Sequence, residues 1–238
     1  MNLETDLAAR LAAVRARIAR AAEASGRDPA GVRLVAVSKT YPAAHVRAAA
    51  AAGQRDFGEN RVQEALGKVE ATSDLPIRWH LIGHLQSNKA RKAAASFAAI
   101  HSIDGASLLE AVDRAAGAAG ASPEVLLQVD LAGEPTKFGA SLGALDPLLD
   151  AAAACRAVRV AGLMLMPPFF DDPEGARPFF RRLRELGDAL RASGRLPGTA
   201  THLSMGMSHD LEVAVEEGAT IVRVGTAIFG PRGLTPGA

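Results

Sequence analysis

Short apolar runs alternate with longer amphipathic stretches along most of the chain, and eight such pairs follow an initial helical stretch. The predicted strands cover residues 33–37, 55–57, 77–82, 98–101, 125–129, 158–163, 200–203 and 220–224. Helical spacing follows at 42–52, 60–71, 86–95, 105–119, 141–154, 173–193 and 208–217, with a short turn from 226. Strands that alternate with helices pair in parallel, with right-handed crossovers that bring the helices to the outside.

Eight strand–helix units predict the α/β class, as a single (β/α)8 TIM barrel with an extra N-terminal helix. We expect one domain over residues 1–238, with the helix at about 3–24, the barrel at about 33–230 and a short tail at 231–238. An open doubly wound sheet is the competing architecture. Its signature is a glycine-rich turn after the first strand, where this chain has Ser38-Lys39-Thr40.

Composition narrows the classes of function. A formal net charge of +1, with one Trp and one Tyr, provides neither the basic surface nor the stacking side chains typical of nucleic-acid binding. No apolar run is long enough to span a membrane, and Glu4 and Asp6 argue against a targeting segment. The single Cys155 cannot form an internal disulfide, and its alanine-rich neighbours suggest a helix face. We therefore expect a cytoplasmic protein, and a monomer, because no long apolar stripe remains unpaired.

Barrel enzymes and binding proteins place their chemistry at the C-terminal ends of the strands. Lys39 stands at the first of these ends, in a chain with only five lysines against twenty-two arginines. Lysine can lose its proton and form an imine with an aldehyde, which arginine cannot do. The alternative is a lysine whose amine simply reaches the solvent at the wet end of the strand.

The last two strand ends carry the groups that bind anions. Glycines and hydroxyls follow strand seven at 204–208 and strand eight at Gly225 and Thr226, where barrels commonly bind phosphate. Arg223 shares a strand face with Gly225, and inside a barrel it needs an acceptor. That acceptor is either a barrel carboxylate, Glu59 or Asp130, or a ring nitrogen of a ligand.

An aldehyde-trapping lysine, a phosphate site and an arginine for a ring nitrogen together describe pyridoxal 5'-phosphate (PLP). The choice of arginine matters, because a neighbouring carboxylate would keep the pyridine nitrogen protonated and make the ring a strong electron sink. Arginine instead donates a hydrogen bond and leaves that nitrogen unprotonated. The sequence therefore gives little support to carbanion chemistry.

Motifs from residue 34 to residue 230 carry a family resemblance. They include Lys39-Thr40, Phe57-Gly58-Glu59-Asn60, the run at 203–208 and the run at 222–230. With these motifs the chain resembles the pyridoxal phosphate homeostasis proteins, single-domain barrels similar to the N-terminal domain of bacterial alanine racemase.

The resemblance implies PLP on Lys39 as an internal aldimine, with Asn60 near the ring and Arg223 at the pyridine nitrogen. It implies Ser204, Gly225 and Thr226 at the phosphate, with Ser208 also available in the same turn. It further implies an intracellular PLP-binding and delivery protein without strong catalysis of its own, with PLP-dependent apoenzymes as recipients. The tail after Gly230 lacks the Asp-Tyr pair usual in the family.

Two other functions remain open at this stage. A racemase-like enzyme needs a second base on the opposite face of the substrate, and the only tyrosine, Tyr41, lies two residues from Lys39. A cofactor-free aldolase that uses Lys39 would be colourless. Two weaker sites are a metal pair at His80 and His84, disfavoured because a strand sends them in inconsistent directions, and a transient second PLP on Lys137.

Overall fold

The fold is described from a computed structural model over residues 3–133 and 138–231. Eight parallel strands close into one barrel in sequence order, and the last strand pairs with the first. The strands are β1 Arg33–Val37, β2 Asp56–Glu59, β3 Arg78–Leu81, β4 Ala99–Ile103, β5 Glu124–Gln128, β6 Arg159–Met164, β7 His202–Ser204 and β8 Ile221–Val224. The predicted TIM barrel is confirmed, and the doubly wound alternative was wrong.

Helices surround the barrel, and one of them precedes it. They are α1 Leu3–Ala24, α2 Ala43–Ala51, α3 Val62–Ala71, α4 Ala90–Ser96, α5 Ala106–Ala119, α6 Leu145–Ala154, α7 Arg177–Ala192, α8 Leu211–Glu216 and α9 Thr226–Phe229. Helix α1 is the predicted extra helix, and it packs on α2, α8 and α9. Its buried stripe, from Leu7 through Leu11 and Val14 to Ile18, has the three-to-four-residue spacing of one helix face.

The element boundaries differ from the predicted ones by a few residues. Glu59, Ser102 and Met164 lie inside strands, because pairing with a neighbouring strand extends each ladder past the apolar run. Short 3-10 turns over Ser87–Lys89, Leu142–Ala144 and Pro173–Ala176 occupy the predicted starts of three helices.

Two apolar layers hold the barrel. Alternate strand residues such as Leu34, Phe57 and Leu81 face the helices and join the large outer core. The inner layer is small, with Val35, Leu126, Met164 and Ile221 as its buried apolar cluster. Most barrels fill this interior with branched apolar side chains, but here much of it is occupied by buried polar and charged residues.

Gly162 allows β6 and β7 to pair. Its φ is +152°, and a Cβ atom there would lie 1.9 Å from the carbonyl oxygen of His202 on β7. Only a residue without a side chain fits, because the strands approach too closely.

Within the described residues, no helix combines the length and apolar character needed to cross a bilayer. The same residues contain no cluster of three or more His, Cys, Asp or Glu side chains placed to hold a metal ion. Cys155 lies just after α6 rather than on its face, and burial raises the pKa of its thiol to about 11.

Candidate functional site

Lys39 lies at the barrel mouth, two residues beyond the end of β1, and is half-buried. Strands β1 and β8 are neighbours, with Val35 in register with Arg223. Barrel closure therefore brings the C-terminal end of β1, which carries Lys39, beside that of β8, which carries Gly225.

A buried ion pair holds the backbone that leads to Lys39. The amine of Lys68 on α3 donates to the carbonyl oxygen of Ser38 and to Oε1 of Glu59, both at 2.7 Å. The Ser38 hydroxyl donates to the same carboxylate oxygen at 2.7 Å. The Glu59 side chain is fully buried, so these three side chains fix the ends of β1 and β2 relative to each other.

The residue after the lysine adopts a rare backbone conformation. Thr40 has φ +69°, and it is the only residue other than glycine with positive φ in the described chain. A β-branched side chain is disfavoured in this left-handed region, and such strain tends to persist at functional sites. The sharp turn directs the chain away from the mouth immediately after Lys39.

The loops after β7 and β8 meet at the predicted phosphate corner. Helix α9 begins at Thr226, and the N–H groups in the first turn of a helix lack intrahelical partners. The Ser208 hydroxyl lies 3.4 Å from the backbone nitrogen of Ala227. Gly206 has φ +90°, and a Cβ atom there would lie 2.5 Å from that of Ala214, so the loop after β7 packs closely on α8.

Arg223 is buried inside the barrel at 4% exposure. Its guanidinium donates from Nη1 to the Ser204 hydroxyl at 2.7 Å and from Nη2 to the Leu165 carbonyl oxygen at 3.0 Å. Burial lowers the pKa of Arg223 to about 10, so the group stays charged at neutral pH.

The predicted barrel carboxylates do not pair with Arg223. Glu59 is held by Lys68 and Ser38, on the side of β2 that faces the helices. Asp130 accepts hydrogen bonds from the backbone of Ala132 and Gly133. The alternative of an ion pair with Glu59 or Asp130 was therefore wrong, because Glu59 faces the outer layer and Asp130 caps its own loop.

Ser204 lies deeper than the phosphate corner. It is fully buried at the end of β7, and its hydroxyl contacts Nδ1 of His101 at 2.8 Å as well as Arg223. The structure thus brings Ser204 to the guanidinium, while Ser208 is the serine beside the start of α9.

Sequence reasoning missed the buried histidines behind Arg223. Nε2 of His101 lies 2.9 Å from Nδ1 of His80, whose Nε2 lies 2.8 Å from Oδ1 of Asp56. The available signal was a polar residue at an inward position in each of three buried strands. His84 points elsewhere: its ring stacks on Phe138, with centroids 3.8 Å apart, so the two histidines of the disfavoured metal pair do not converge.

Asn60 follows β2 at the mouth and lines a cavity of about 400 Å³, together with Arg61, His84 and Lys89. Gly83, after β3, makes this position possible. A Cβ atom on Gly83 would lie 2.3 Å from the carbonyl oxygen of Asn60.

Tyr41 was considered as a second base, and its contacts lie within the described residues. The Tyr41 hydroxyl donates to the carbonyl oxygen of Gly230 at 2.8 Å, and its ring stacks on Phe229 with centroids 5.2 Å apart. Tyr41 therefore ties the loop after β1 to the end of α9. Lys137, considered as a weaker candidate for a transient second PLP, lies outside the described residues.

Comparison with known proteins adds the family. The sequence profile of the alanine racemase N-terminal domain matches residues 9–233. The pyridoxal phosphate homeostasis protein of Pseudomonas aeruginosa is 47% identical over 226 residues, which cover 95% of this chain and 96% of that protein. The protein of the same name from Aquifex aeolicus is 44% identical over 223 residues, covering 94% and 97%.

The fold agrees with these sequence matches. The structure of PipY from Synechococcus elongatus with PLP bound superposes with a TM-score of 0.84 at 43% identity, covering 94% of this chain and all of that one. The chain belongs to the pyridoxal phosphate homeostasis protein family, within the alanine racemase N-terminal domain family.

Proposed function

We propose that this protein binds PLP at the barrel mouth, carries it covalently on Nζ of Lys39 and delivers it to other proteins. The observation that carries the proposal is the adjacency of β1 and β8, in which Val35 pairs with Arg223. This pairing supports a single site that contains the amine of Lys39, the guanidinium of Arg223 and the start of α9.

The donor set fits the cofactor. The N–H groups at the first turn of α9 and the hydroxyls of the adjoining loops would hold the phosphate. Arg223, with a pKa of about 10, is a permanent donor for the pyridine nitrogen. Asn60 follows β2 at the mouth, and we propose that it lies beside the ring. When bound, PLP supplies an electrophilic aldehyde and a conjugated ring.

We assign the phosphate to Ser208, Gly225 and Thr226. Ser208 is supported by the 3.4 Å distance from its hydroxyl to the N–H of Ala227. The hydroxyl of Ser204 already serves Arg223 and His101 in the barrel interior. We therefore propose that Ser204 supports the cofactor through Arg223 rather than through the phosphate.

A carrier is favoured over a racemase-like enzyme by the position of Tyr41. This is the only tyrosine of the chain, and its hydroxyl is hydrogen-bonded to Gly230. Arg223, by donating to the ring nitrogen, leaves the ring a poor electron sink. Both features favour holding PLP over protonating and deprotonating a substrate carbon.

We propose PLP-dependent apoenzymes as the recipients, and a monomer in the cytoplasm as the delivering form. Exposed apolar side chains lie in the segments that follow β5 and β6, at Phe138, Leu142, Met166 and Phe169. Exposed apolar surface at the edge of a site is typical of protein interaction sites. A recipient enzyme that contacts this rim would receive the cofactor directly from the open end of the barrel.

Borohydride reduction followed by peptide mass mapping tests the proposal. The protein is incubated with PLP, reduced and digested, and we expect a phosphopyridoxyl group on the peptide that contains Lys39. The adduct should disappear in Lys39→Ala and persist in Lys92→Ala, which removes a lysine from α4. An adduct confined to Lys89 or Lys137 would contradict the assignment.

A second measurement separates carrier from enzyme. The PLP-loaded protein is incubated with a panel of amino acids in deuterated water, and exchange of the α-hydrogen is followed by NMR. We expect no exchange above that of free PLP. Robust turnover that is lost in Lys39→Ala would establish the racemase-like alternative.

A further inference from the structure

The polar interior of the barrel forms one continuous hydrogen-bonded chain behind Arg223. It starts at Arg78, whose Nη2 donates to Oδ2 of Asp56 at 2.8 Å. It continues through His80, His101 and Ser204, with contacts of 2.8, 2.9 and 2.8 Å. It ends at the mouth, where Nη1 of Arg223 donates to Ser204 at 2.7 Å. The chain therefore crosses the barrel through side chains of β2, β3, β4, β7 and β8.

We propose that the part of this chain from Arg223 to Asp56 is a relay in which every hydrogen bond donates in the direction of Asp56, and in which His80, His101 and Ser204 are positioning residues for Arg223. The functional consequence rests on the proposed function, because it assumes that Arg223 faces the cofactor. The direction of the relay follows from the protein's own hydrogen-bonding groups with His80 neutral, and it does not involve the cofactor.

Arg223 at one end of the relay and Asp56 at the other require the same direction of donation. Arg223 can only donate, so the hydroxyl of Ser204 accepts from it and has its own proton left to give to Nδ1 of His101. At the other end an ionised Asp56 can only accept, so Nε2 of His80 must carry a proton. Because burial disfavours a second proton on His80, its Nδ1 accepts, and the bond between the rings runs from Nε2–H of His101 to Nδ1 of His80.

Both histidines are consequently neutral Nε2–H tautomers, and each donates one hydrogen bond and accepts one. The charges around them agree with this assignment. Burial lowers the pKa of both imidazoles, and the neighbouring Arg33 and Arg223 lower that of His101 further. Although burial opposes it, hydrogen bonds from His80 and Arg78 hold the pKa of Asp56 below its ordinary value.

The relay explains why a buried arginine can keep one orientation without a carboxylate partner. Its Nη1 meets an oxygen whose lone pair is directed toward it, because the proton of Ser204 is committed to His101. Its Nη2 is held by the carbonyl oxygen of Leu165. The edge of the guanidinium that remains is therefore fixed relative to the barrel mouth.

The first test needs no cofactor. In PLP-free protein labelled with ¹⁵N at histidine, long-range ¹H–¹⁵N spectra at pH 7 should show Nε2–H tautomers for His80 and His101. The two sets of signals are assigned by their loss in His80→Gln and His101→Gln. An Nδ1–H tautomer or a doubly protonated ring at either residue would overturn the relay.

The second test measures the effect on bound PLP. Ser204→Ala removes the acceptor of Nη1, and we expect PLP affinity to fall about tenfold and the absorption maximum of the bound chromophore to shift. The control is His202→Gln, another polar residue of the barrel interior, whose ring contacts Thr220 outside the relay. This control should retain the affinity and the spectrum.

Unchanged affinity and spectrum in Ser204→Ala would refute the positioning role. If PLP fails to attach to Lys39 in the parent protein, while the tautomers are as expected, the proposed function fails and the relay stands. Should Ser204→Ala fold poorly, Ser204→Thr keeps the hydroxyl, and it must preserve the spectrum for the proposal to hold.

Discussion

The ion pair between Lys68 and Glu59 is buried beside the end of β1, next to the candidate site. A fully buried carboxylate depends on its partner, because removing one member of a buried pair leaves an uncompensated charge in a low-dielectric interior. The same amine also holds the carbonyl oxygen of Ser38, so this pair links the stability of the barrel to the position of Lys39.

Lys68→Met should destabilise the protein by about 3–5 kcal/mol, because Glu59 would remain buried without its cation. Urea denaturation followed by circular dichroism measures the change. Lys92→Met, which alters an exposed residue of α4, should stay within about 0.5 kcal/mol of the parent. A loss below about 1 kcal/mol in Lys68→Met would show that the pair is dispensable.

Thr40→Gly should raise the free energy of unfolding by up to about 1 kcal/mol. Relief of the left-handed conformation is worth about 1–2 kcal/mol, and the greater freedom of glycine in the unfolded chain offsets about 0.5–1 kcal/mol of that. The control is Thr199→Gly, at an exposed position without positive φ, and this variant should be destabilised. Equal destabilisation of both variants would argue against strain at Thr40.

At the scale of elements, close strand pairing sets the shape of the barrel. Strands β6 and β7 are in register from Gly162 opposite His202 to Met164 opposite Ser204. The register of this pair therefore fixes the height of Ser204 in the barrel, level with the guanidinium it serves. A distortion between these strands would reach the candidate site through Ser204.

Gly162→Ala should lower the free energy of unfolding by about 3 kcal/mol or more, because a methyl group there would clash with the backbone of β7 and force the strands apart. Thermal and urea unfolding measure the loss. Gly67→Ala is the matched control: it lies in α3 with no atom within 4 Å of the added methyl group, and should gain about 0.5–1 kcal/mol. A tolerated Gly162→Ala would mean that β6 and β7 can separate without loss of stability.

At the scale of the whole molecule, the buried histidines make stability depend on pH. Their folded pKa lies below the ordinary value of about 6.5, so near that pH the unfolded chain binds more protons than the folded one. The stability that depends on their being neutral is fully present above about pH 6.5. It is lost as the pH falls toward the folded pKa. Carboxylates with a lowered pKa, such as Asp56, change the stability only at a more acidic pH.

Between pH 7.5 and 5.5 the free energy of unfolding should therefore fall, with a slope that approaches about 1.4 kcal/mol per pH unit for each such histidine. Urea titrations at several pH values measure the slope. In His101→Gln the slope should decrease, whatever the absolute stability, while His202 and His45, whose pKa values are also lowered, contribute to both proteins. An unchanged slope would contradict a buried, neutral His101.

Much of the fold could be predicted from the sequence, because its signals are local. The eight apolar runs predicted the eight strands, and the helical spacing of the N-terminal stretch predicted α1. The boundaries were less accurate. Glu59 and Met164 extend their strands because ladder pairing with a neighbour, rather than side-chain polarity, decides where a strand ends.

The candidate site was only partly predictable for the same reason. Lys39 follows β1 and Arg223 lies in β8. Because barrels carry their sites at the C-terminal ends of the strands, these positions were enough to predict both as site residues. Spacing along the chain paired His80 with His84, whereas the structure pairs it with His101 and Asp56 on neighbouring strands. A contact between residues 21 or more positions apart leaves no periodic trace in a single sequence.

By itself, the sequence determined the order and type of the elements, the position of a lysine just after β1 and that of an arginine inside the barrel. Only the tertiary structure decided that Arg223 donates to Ser204 and Leu165 rather than to a carboxylate. It also decided that Glu59 turns outward to Lys68. The physical reason is that periodicity specifies which face a residue occupies, while its partners depend on barrel closure and strand register.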